Sequence, residues 1–90
     1  MQVEFTRKFT KQYNLVDKKI KVAFENRLKL FLQNPFHPLL NNHTLTGKLL
    51  GYRSINITGD WRVIYSEQKA SGTEKLVIFE VLGTHSQLYR

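Results

Sequence analysis

The segment Leu76–Leu82 constrains the fold of this chain more than any other part of the sequence. Its length and its richness in β-branched and apolar residues are typical of a buried strand, because such side chains pack well on a pleated surface. A chain of 90 residues has room for one hydrophobic core around such a strand. We therefore expect residues 1–90 to form a single domain with Leu76–Leu82 as its central strand.

The composition excludes several classes of protein. The chain has no cysteine, which excludes disulfides, thiolate catalysis and sulfur-ligated zinc. No apolar run approaches the ~20 residues that a membrane helix needs, and Met1–Phe5 lacks the apolar core of a signal peptide. These features predict a cytoplasmic protein. The net charge of +7 favours a polyanionic partner, either nucleic acid or an acidic protein.

Two helices are expected in the first half of the chain, after a short strand at Gln2–Phe5. Thr6 is a suitable N-cap for a helix that runs to about Leu15, and Asp17 is one for a helix over about Lys18–Gln33. The short break between them predicts an antiparallel helical hairpin. The residues that define the buried helix faces are Phe9 and Tyr13 in the first helix and Ile20, Phe24, Leu28 and Phe31 in the second.

Three strands are expected in the second half of the chain: Tyr52–Ile57, Trp61–Tyr65 and Leu76–Leu82. Short polar turns join them, which predicts an antiparallel meander. An irregular connection over residues 36–42 and a pinned loop at His43–Gly47 precede these strands. The element order β-α-α-β-β-β predicts an α+β domain, in which a twisted, mainly antiparallel sheet carries the helical hairpin on one face.

Strand alternation predicts a polar hollow on the sheet face opposite the helices. Ser54 and Asn56 alternate with Ile55 and Ile57 along their strand. In the following strand, Arg62 faces opposite to its apolar neighbours on either side. We therefore expect Ser54, Asn56, Arg62 and the end of the last strand to line this open face.

His85 follows the last strand and is the strongest candidate for acid–base chemistry. Histidine titrates near neutrality, and the end of a rigid strand is a suitable position for a general acid or base. We expect Gly83 to end the strand, because glycine adopts backbone angles that other residues avoid. The alternative is that His85 is an ordinary surface histidine on a C-terminal tail.

Four segments, taken together, carry a family resemblance. They are His43–Gly47, Gly51–Arg53, Gly59–Tyr65 and Gly83–Tyr89, the last of which contains Gly-Thr-His and closes on an aromatic residue. In this order and spacing, the chain resembles the RelE superfamily of type II toxin–antitoxin toxins, and within it the YafQ-like branch. The resemblance spans nearly the whole chain and implies the RelE-like α+β fold.

The resemblance implies an RNA endonuclease that cuts mRNA in the A site of the ribosome and needs no metal or other cofactor. It also implies a cognate antitoxin that neutralises the toxin in a hetero-oligomer. His85, Asp60 and His43 match catalytic positions, and Arg62 matches the arginine that contacts phosphate. Tyr89 matches the functional aromatic that follows the histidine. The other residues expected to contact RNA are Arg53, Ser54 and Asn56.

Metal-free RNA cleavage needs a base for the ribose 2′-OH, an acid for the leaving 5′-oxygen and positive charge beside the phosphorane. His85 can act as acid or base, with Asp60 as the complementary base or as a group that orients a histidine. Arg62 offers a permanently charged fork that suits phosphate. The sequence leaves two alternatives open, since Asp60 also suits a turn and His43 also suits an anchor for the loop after it.

Ser54 and Asn56 depart from the YafQ-like branch, which typically carries an Asp and a His at these positions. The departure makes at least one acid–base position neutral and places more of the chemistry on His85. Two other functions stay open on the same fold. One is a ParE-like toxin that inhibits DNA gyrase without cutting RNA, and the other is a degenerate member that only binds antitoxin or RNA. The terminal Gly-Thr-His favours the nuclease, because gyrase inhibition has no need of it.

Overall fold

A five-stranded sheet forms the centre of the fold. The computed structural model describes residues Met1–Tyr89. The strands are β1 (Gln2–Phe5), β2 (His43–Thr44), β3 (Arg53–Asn56), β4 (Trp61–Lys69) and β5 (Lys75–Thr84). The helices are α1 (Arg7–Leu15), α2 (Lys18–Gln33) and α3 (His85–Leu88), with single 3₁₀ turns at Pro38–Leu40 and Gly47–Leu49.

The strand order across the sheet is β1-β5-β4-β3-β2. β1 runs parallel to β5, and the other neighbouring pairs are antiparallel. The α1–α2 hairpin connects the two edges of the sheet, since it follows β1 and precedes β2. The predicted α+β fold with a mainly antiparallel sheet is therefore confirmed. The segment Leu76–Leu82, predicted to be the central strand, lies within β5, which is an internal strand but second from the edge, and β4 is in the middle of the sheet.

Both long helices begin where the sequence predicts. The Thr6 hydroxyl accepts a hydrogen bond from the Phe9 N–H (3.0 Å), and the Asp17 carboxylate accepts one from the Ile20 N–H (3.1 Å). A cap of this kind stabilises a helix by about 1 kcal/mol, because it satisfies a backbone N–H that has no partner within the helix. In the described part of the chain, no helix combines the length and the apolar character needed to cross a membrane.

Phe79, in the middle of β5, lies at the centre of the hydrophobic core and is fully buried. Its ring centroid lies between 5.5 and 6.0 Å from the centroids of five other aromatic rings. These rings belong to Phe5, Phe9, Phe24, Phe31 and Tyr65. They come from β1, α1, α2 and β4, so one side chain joins the helical hairpin to three strands of the sheet.

The β4–β5 hairpin is longer than predicted. β4 continues past Tyr65 to Lys69, although its last residues are polar, because β5 supplies a hydrogen-bonded partner along this length. A polar pair fastens the two strands there, since the Ser66 hydroxyl donates to a carboxylate oxygen of Glu80 (2.6 Å). Backbone pairing therefore extends the strand beyond the apolar residues from which its end was predicted.

Two segments predicted to be irregular have regular structure. His43–Thr44, which was expected to open a pinned loop, forms an edge strand paired with β3. The C-terminal tail forms α3, and His85 is its first residue. A strand of two residues and a helix of four are too short for hydrophobic periodicity to reveal them.

The prediction that Gly83 ends the last strand is wrong. β5 continues through Gly83 to Thr84, and Gly83 is not among the glycines with positive φ. A Cβ atom at this position would lie 3.1 Å from Gln87 Oε1 and 3.1 Å from Leu88 Cδ2. Glycine therefore favours the close approach of α3 to the sheet and does not serve a turn, since a Cβ atom here would require the Gln87 and Leu88 side chains to shift slightly.

We expect Phe79→Ala to lower the free energy of unfolding by about 3–5 kcal/mol, because it removes a ring that packs against five others. Urea denaturation measures this change. Leu50→Ala is the matched control: Leu50 is 75% exposed, and its truncation should change stability by less than about 0.5 kcal/mol. If Phe79→Ala does not fold, Phe79→Leu should still lower stability more than the control. Equal effects at both positions would contradict the central role of Phe79.

Candidate active site

An open cleft of about 450 Å³ lies where β2, the start of β4 and α3 meet. It is lined by Asn41, His43, Thr44, Leu45, Thr46, Arg62, His85 and Tyr89. Four of the residues predicted from the sequence therefore come together, although they belong to three separate parts of the chain. The other four predicted residues, Asp60, Arg53, Ser54 and Asn56, do not line the cleft itself.

The sheet register explains how these parts of the chain meet. Arg62 pairs with Asn56 on one side and with Gly83 on the other, and directly opposed residues point to the same face. His43 pairs in the same way with Ser54. His85 follows Gly83 by two residues and enters the cleft from the end of β5.

His85 is held by the backbone around it. Thr84 caps α3 and forms a capping box with Gln87, in which each side chain bonds to the other residue's N–H. The His85 N–H donates to the backbone carbonyl of Asp60 (2.9 Å), which ties α3 to the β3–β4 turn. The Asp60 residue is exposed in that turn. The imidazole of His85 packs against the ring of Tyr89, with 4.7 Å between centroids.

Arg62 presents a guanidinium that is already fixed in place. Its Nη1 donates to the backbone carbonyl of Thr58 (3.0 Å) and to that of Trp61 (3.2 Å). The guanidinium has five N–H donors, so these two bonds leave Nε and Nη2 able to bind an anion. Arg62 is half-buried, so part of its charge acts in an environment less screened than bulk water.

His43 is exposed in β2, and its Nδ1 lies 2.8 Å from the backbone carbonyl oxygen of Asn41. The contact is with the segment that precedes β2, and not with the loop after His43 for which the sequence made it a candidate anchor. It does not remove His43 from the cleft, since both residues line it. Asn41 was not predicted as a site residue. The sequence did contain a signal for its backbone conformation, because asparagine is one of the few non-glycine residues that adopt the left-handed conformation at the end of a helical turn.

Tyr89 covers Ser54. The Tyr89 hydroxyl donates to the Ser54 hydroxyl at 2.5 Å, and Ser54 is fully buried. Direct contact between Ser54 and RNA would require Tyr89 to move away. Asn56 is half-buried, and its Oδ1 is buried with no hydrogen-bond partner among the described residues.

Arg53 lies on the opposite face of the sheet from Ser54, because it has the parity of Ile55 along β3. Its Nε donates to Asn42 Oδ1 (2.8 Å), and its guanidinium lies 5.2 Å from the Phe36 ring centroid. Asn42 also donates to the Tyr65 hydroxyl, and burial raises the pKa of that phenol above its usual value. Arg53 therefore holds the 34–42 connection against the sheet, away from the other predicted residues.

The cleft is basic. Arg62 and two histidines line it, and no acidic side chain does so among the described residues. Within residues 1–89, no three His, Asp or Glu side chains are grouped closely enough to bind a metal ion. The two imidazoles can donate or accept hydrogen bonds and protons, and the guanidinium can bind a phosphate.

Comparison with known proteins gives consistent matches over the whole chain. A family model described as "Bacterial toxin of type II toxin-antitoxin system, YafQ" matches residues 1–90. The mRNA interferase toxin YafQ of Escherichia coli strain K12 is 32% identical over 93 aligned residues, which cover 97% of this chain and 94% of that protein.

Solved structures agree with this result. The crystal structure of YafQ from E. coli strain BL21(DE3) superimposes with a TM-score of 0.78 at 27% identity, covering 99% of this chain and 98% of that one. YafQ in the crystal structure of the E. coli DinJ–YafQ toxin–antitoxin complex superimposes with a TM-score of 0.75 at 27% identity, covering 99% of this chain and 97% of that one.

We expect Tyr89→Phe to loosen α3, because it leaves the buried Ser54 hydroxyl without this partner. The cost should be about 1–3 kcal/mol. Hydrogen exchange of the Tyr89 N–H, which donates to the His85 carbonyl, measures it locally. The double variant Ser54→Ala/Tyr89→Phe should lose less than the sum of the single changes, since both remove the same bond. Strictly additive losses would show that the two hydroxyls are not coupled.

Proposed function

The chain belongs to the YafQ family of bacterial type II toxin–antitoxin toxins, and from this premise we propose that it is an mRNA interferase. It cuts mRNA on the ribosome, and side chains of the protein supply the acid, the base and the positive charge without a metal ion. The observation that carries the proposal is the cleft in which His43, Arg62, His85 and Tyr89 meet.

The reaction is an internal transfer at the phosphate. The ribose 2′-oxygen attacks the adjacent phosphorus as its proton passes to a base, and the bond from phosphorus to the 5′-oxygen breaks. An acid protonates that oxygen as it leaves. The products are a 2′,3′-cyclic phosphate on one fragment and a 5′-hydroxyl on the other. Each positioned acid or base typically contributes ~10²–10⁴-fold in rate.

His43 and His85 are the two proton-transfer groups in this mechanism. They are the two imidazole side chains that line the cleft, and both residues are exposed. Asp60 contributes through its backbone, whose carbonyl accepts from the His85 N–H and so holds the first residue of α3 in place. Asp60 is accordingly a positioning residue for His85 in this proposal.

Arg62 stabilises the phosphorane, and Tyr89 stacks on a nucleobase of the RNA. The free Nε and Nη2 donors of Arg62 suit the two non-bridging phosphate oxygens, and developing charge on those oxygens strengthens the interaction. The Tyr89 hydroxyl is engaged with Ser54, which orients the ring beside His85. A ring held in this way is suited to stacking on an unpaired RNA base.

The ribosome orders the mRNA strand, which an open cleft cannot do alone. Exposed catalytic groups on a shallow surface do not by themselves align a flexible mRNA strand for in-line attack, whereas a strand held by the ribosome is already ordered. The net charge of +7 provides attraction to ribosomal RNA. The related protein from E. coli K12 is named an mRNA interferase, which supports the same substrate class here.

An antitoxin is the second proposed partner. The related E. coli toxin crystallises in a toxin–antitoxin complex with DinJ. A basic toxin is matched by an acidic antitoxin segment, because complementary charge accelerates association and favours the correct partner. We propose that this complex forms in the cytoplasm, where ribosomes and mRNA are found.

His85→Gln tests proton transfer. Glutamine keeps the polarity and approximate length of the side chain but does not titrate near neutrality, so mRNA cleavage should fall by about 10²–10⁴-fold. Mapping of mRNA 5′ ends in expressing cells and cleavage on purified ribosomes measure the loss. The fold should survive, because His85 is exposed. Near-full cleavage would show that His85 only positions RNA. Growth inhibition with intact messages would favour the gyrase-type alternative.

Arg62→Ala and Arg53→Ala form a matched pair. Each removes one positive charge, Arg62 from β4 and Arg53 from the neighbouring strand β3, and the two side chains lie on opposite faces of the sheet. Arg62→Ala should lower the rate of cleavage by about 10²–10³-fold, as loss of a charge-stabilising donor does. Arg53→Ala should leave the rate of its folded fraction nearly unchanged while lowering stability. The same assay on ribosomes measures both. Equal losses of rate would mean that the charge acts through general attraction to RNA.

A further inference from the structure

We propose that Asn41 is a positioning residue that fixes the tautomer of His43, so that Nε2 of His43 is the atom that accepts the proton of the ribose 2′-OH. The proposal rests on the proposed function, because it assigns the base of that reaction. Its structural part concerns the contact between two residues that both line the cleft.

Asn41 has an unusual backbone conformation. Its φ of 45° and ψ of 48° are left-handed, and it is the one non-glycine residue with positive φ among residues 1–89. The conformation is unfavourable for most residues that carry a side chain, and asparagine tolerates it better than most. Asn41 ends the 3₁₀ turn Pro38–Leu40, and its N–H donates to the Pro38 carbonyl (3.2 Å).

The left-handed conformation aims the Asn41 carbonyl at the imidazole two residues further along the chain. The distance from this oxygen to His43 Nδ1 is 2.8 Å. A carbonyl oxygen only accepts hydrogen bonds, so Nδ1 carries the proton in this contact. A neutral imidazole has one N–H, and Nε2 is therefore left with a free lone pair. In free histidine the neutral ring prefers the opposite arrangement, with the proton on Nε2.

This arrangement suits a general base. Nε2 is the ring nitrogen remote from the backbone. His43 lies on the edge strand β2, which pairs with β3, and β3 in turn pairs with β4, the strand that carries Arg62. When Nε2 takes the proton, the ring becomes cationic and the bond from Nδ1–H to the Asn41 carbonyl becomes charge-assisted. Such bonds are roughly twice as strong as neutral ones. The contact therefore stabilises the ring most in the state that forms during proton transfer.

Long-range ¹H–¹⁵N NMR of the intact protein tests the structural part, because it distinguishes the two neutral tautomers of each histidine. At a pH where the ring is neutral, His43 should be in the Nδ1–H form. Asn41→Gly allows the same backbone conformation and keeps the carbonyl, so the Nδ1–H form should persist. Asn41→Val disfavours the left-handed conformation and should shift His43 towards the Nε2–H form. An Nε2–H tautomer in the wild-type protein overturns the proposal, even if Asn41→Val does not fold.

Cleavage on ribosomes tests the catalytic part. Asn41→Val should lower kcat by about 10–100-fold with little change in KM, as misorientation of a catalytic group does. Asn41→Gly should retain kcat within a few fold of the wild type. An unchanged kcat in a folded Asn41→Val variant whose tautomer has switched overturns the role of Asn41. A different outcome is that the wild-type protein has the Nδ1–H tautomer but cuts no mRNA. This result overturns the proposed function and the catalytic part of the inference, while the structural part stands.

Discussion

The packing around β5 is the constraint on which the rest of the structure depends. β1 and β4 pair with its two edges, and the ring of Phe79 meets aromatic rings from both long helices. A strand held along both edges and on its helix face has little freedom to move. The C-terminal end of β5 is therefore fixed in position, and His85, the next residue in the chain, lies in the cleft.

Three contacts fix the short helix α3 in position beside the cleft. Gly83 lets α3 approach the sheet closely, the Asp60 carbonyl accepts the His85 N–H, and Tyr89 bonds to Ser54. A helix of four residues has almost no stability of its own. These tertiary contacts supply the stability that its length does not. The position of His85 in the cleft therefore depends on the residues that fasten α3.

The period of the β-strand decides which basic and polar residues serve the cleft. Arg62 and Arg53 lie on neighbouring strands with opposite parity, so one faces the cleft and the other braces a loop against the far side of the sheet. Ser54 has the cleft-side parity but is buried beneath Tyr89. Its neutral hydroxyl anchors the Tyr89 ring, and the proposed acid–base chemistry is assigned to His43 and His85, the two histidines that line the cleft.

Local sequence was sufficient to predict the two long helices, because Thr6 and Asp17 cap them through contacts three residues away, and the core face repeats within each helix. Alternation was likewise sufficient to place Arg62 on the open face. The motifs of the family singled out both histidines. Tertiary structure alone decided that β2 and α3 form, that Gly83 serves close packing, and that Ser54 is buried. The pairing of β2 with β3 and the burial of Ser54 depend on partners distant in the chain, as with Ser54 and Tyr89, 35 residues apart, and no local pattern encodes such a pairing. The residues that approach Gly83, Gln87 and Leu88, are close to it in sequence, but they reach it only because α3 folds back onto the sheet.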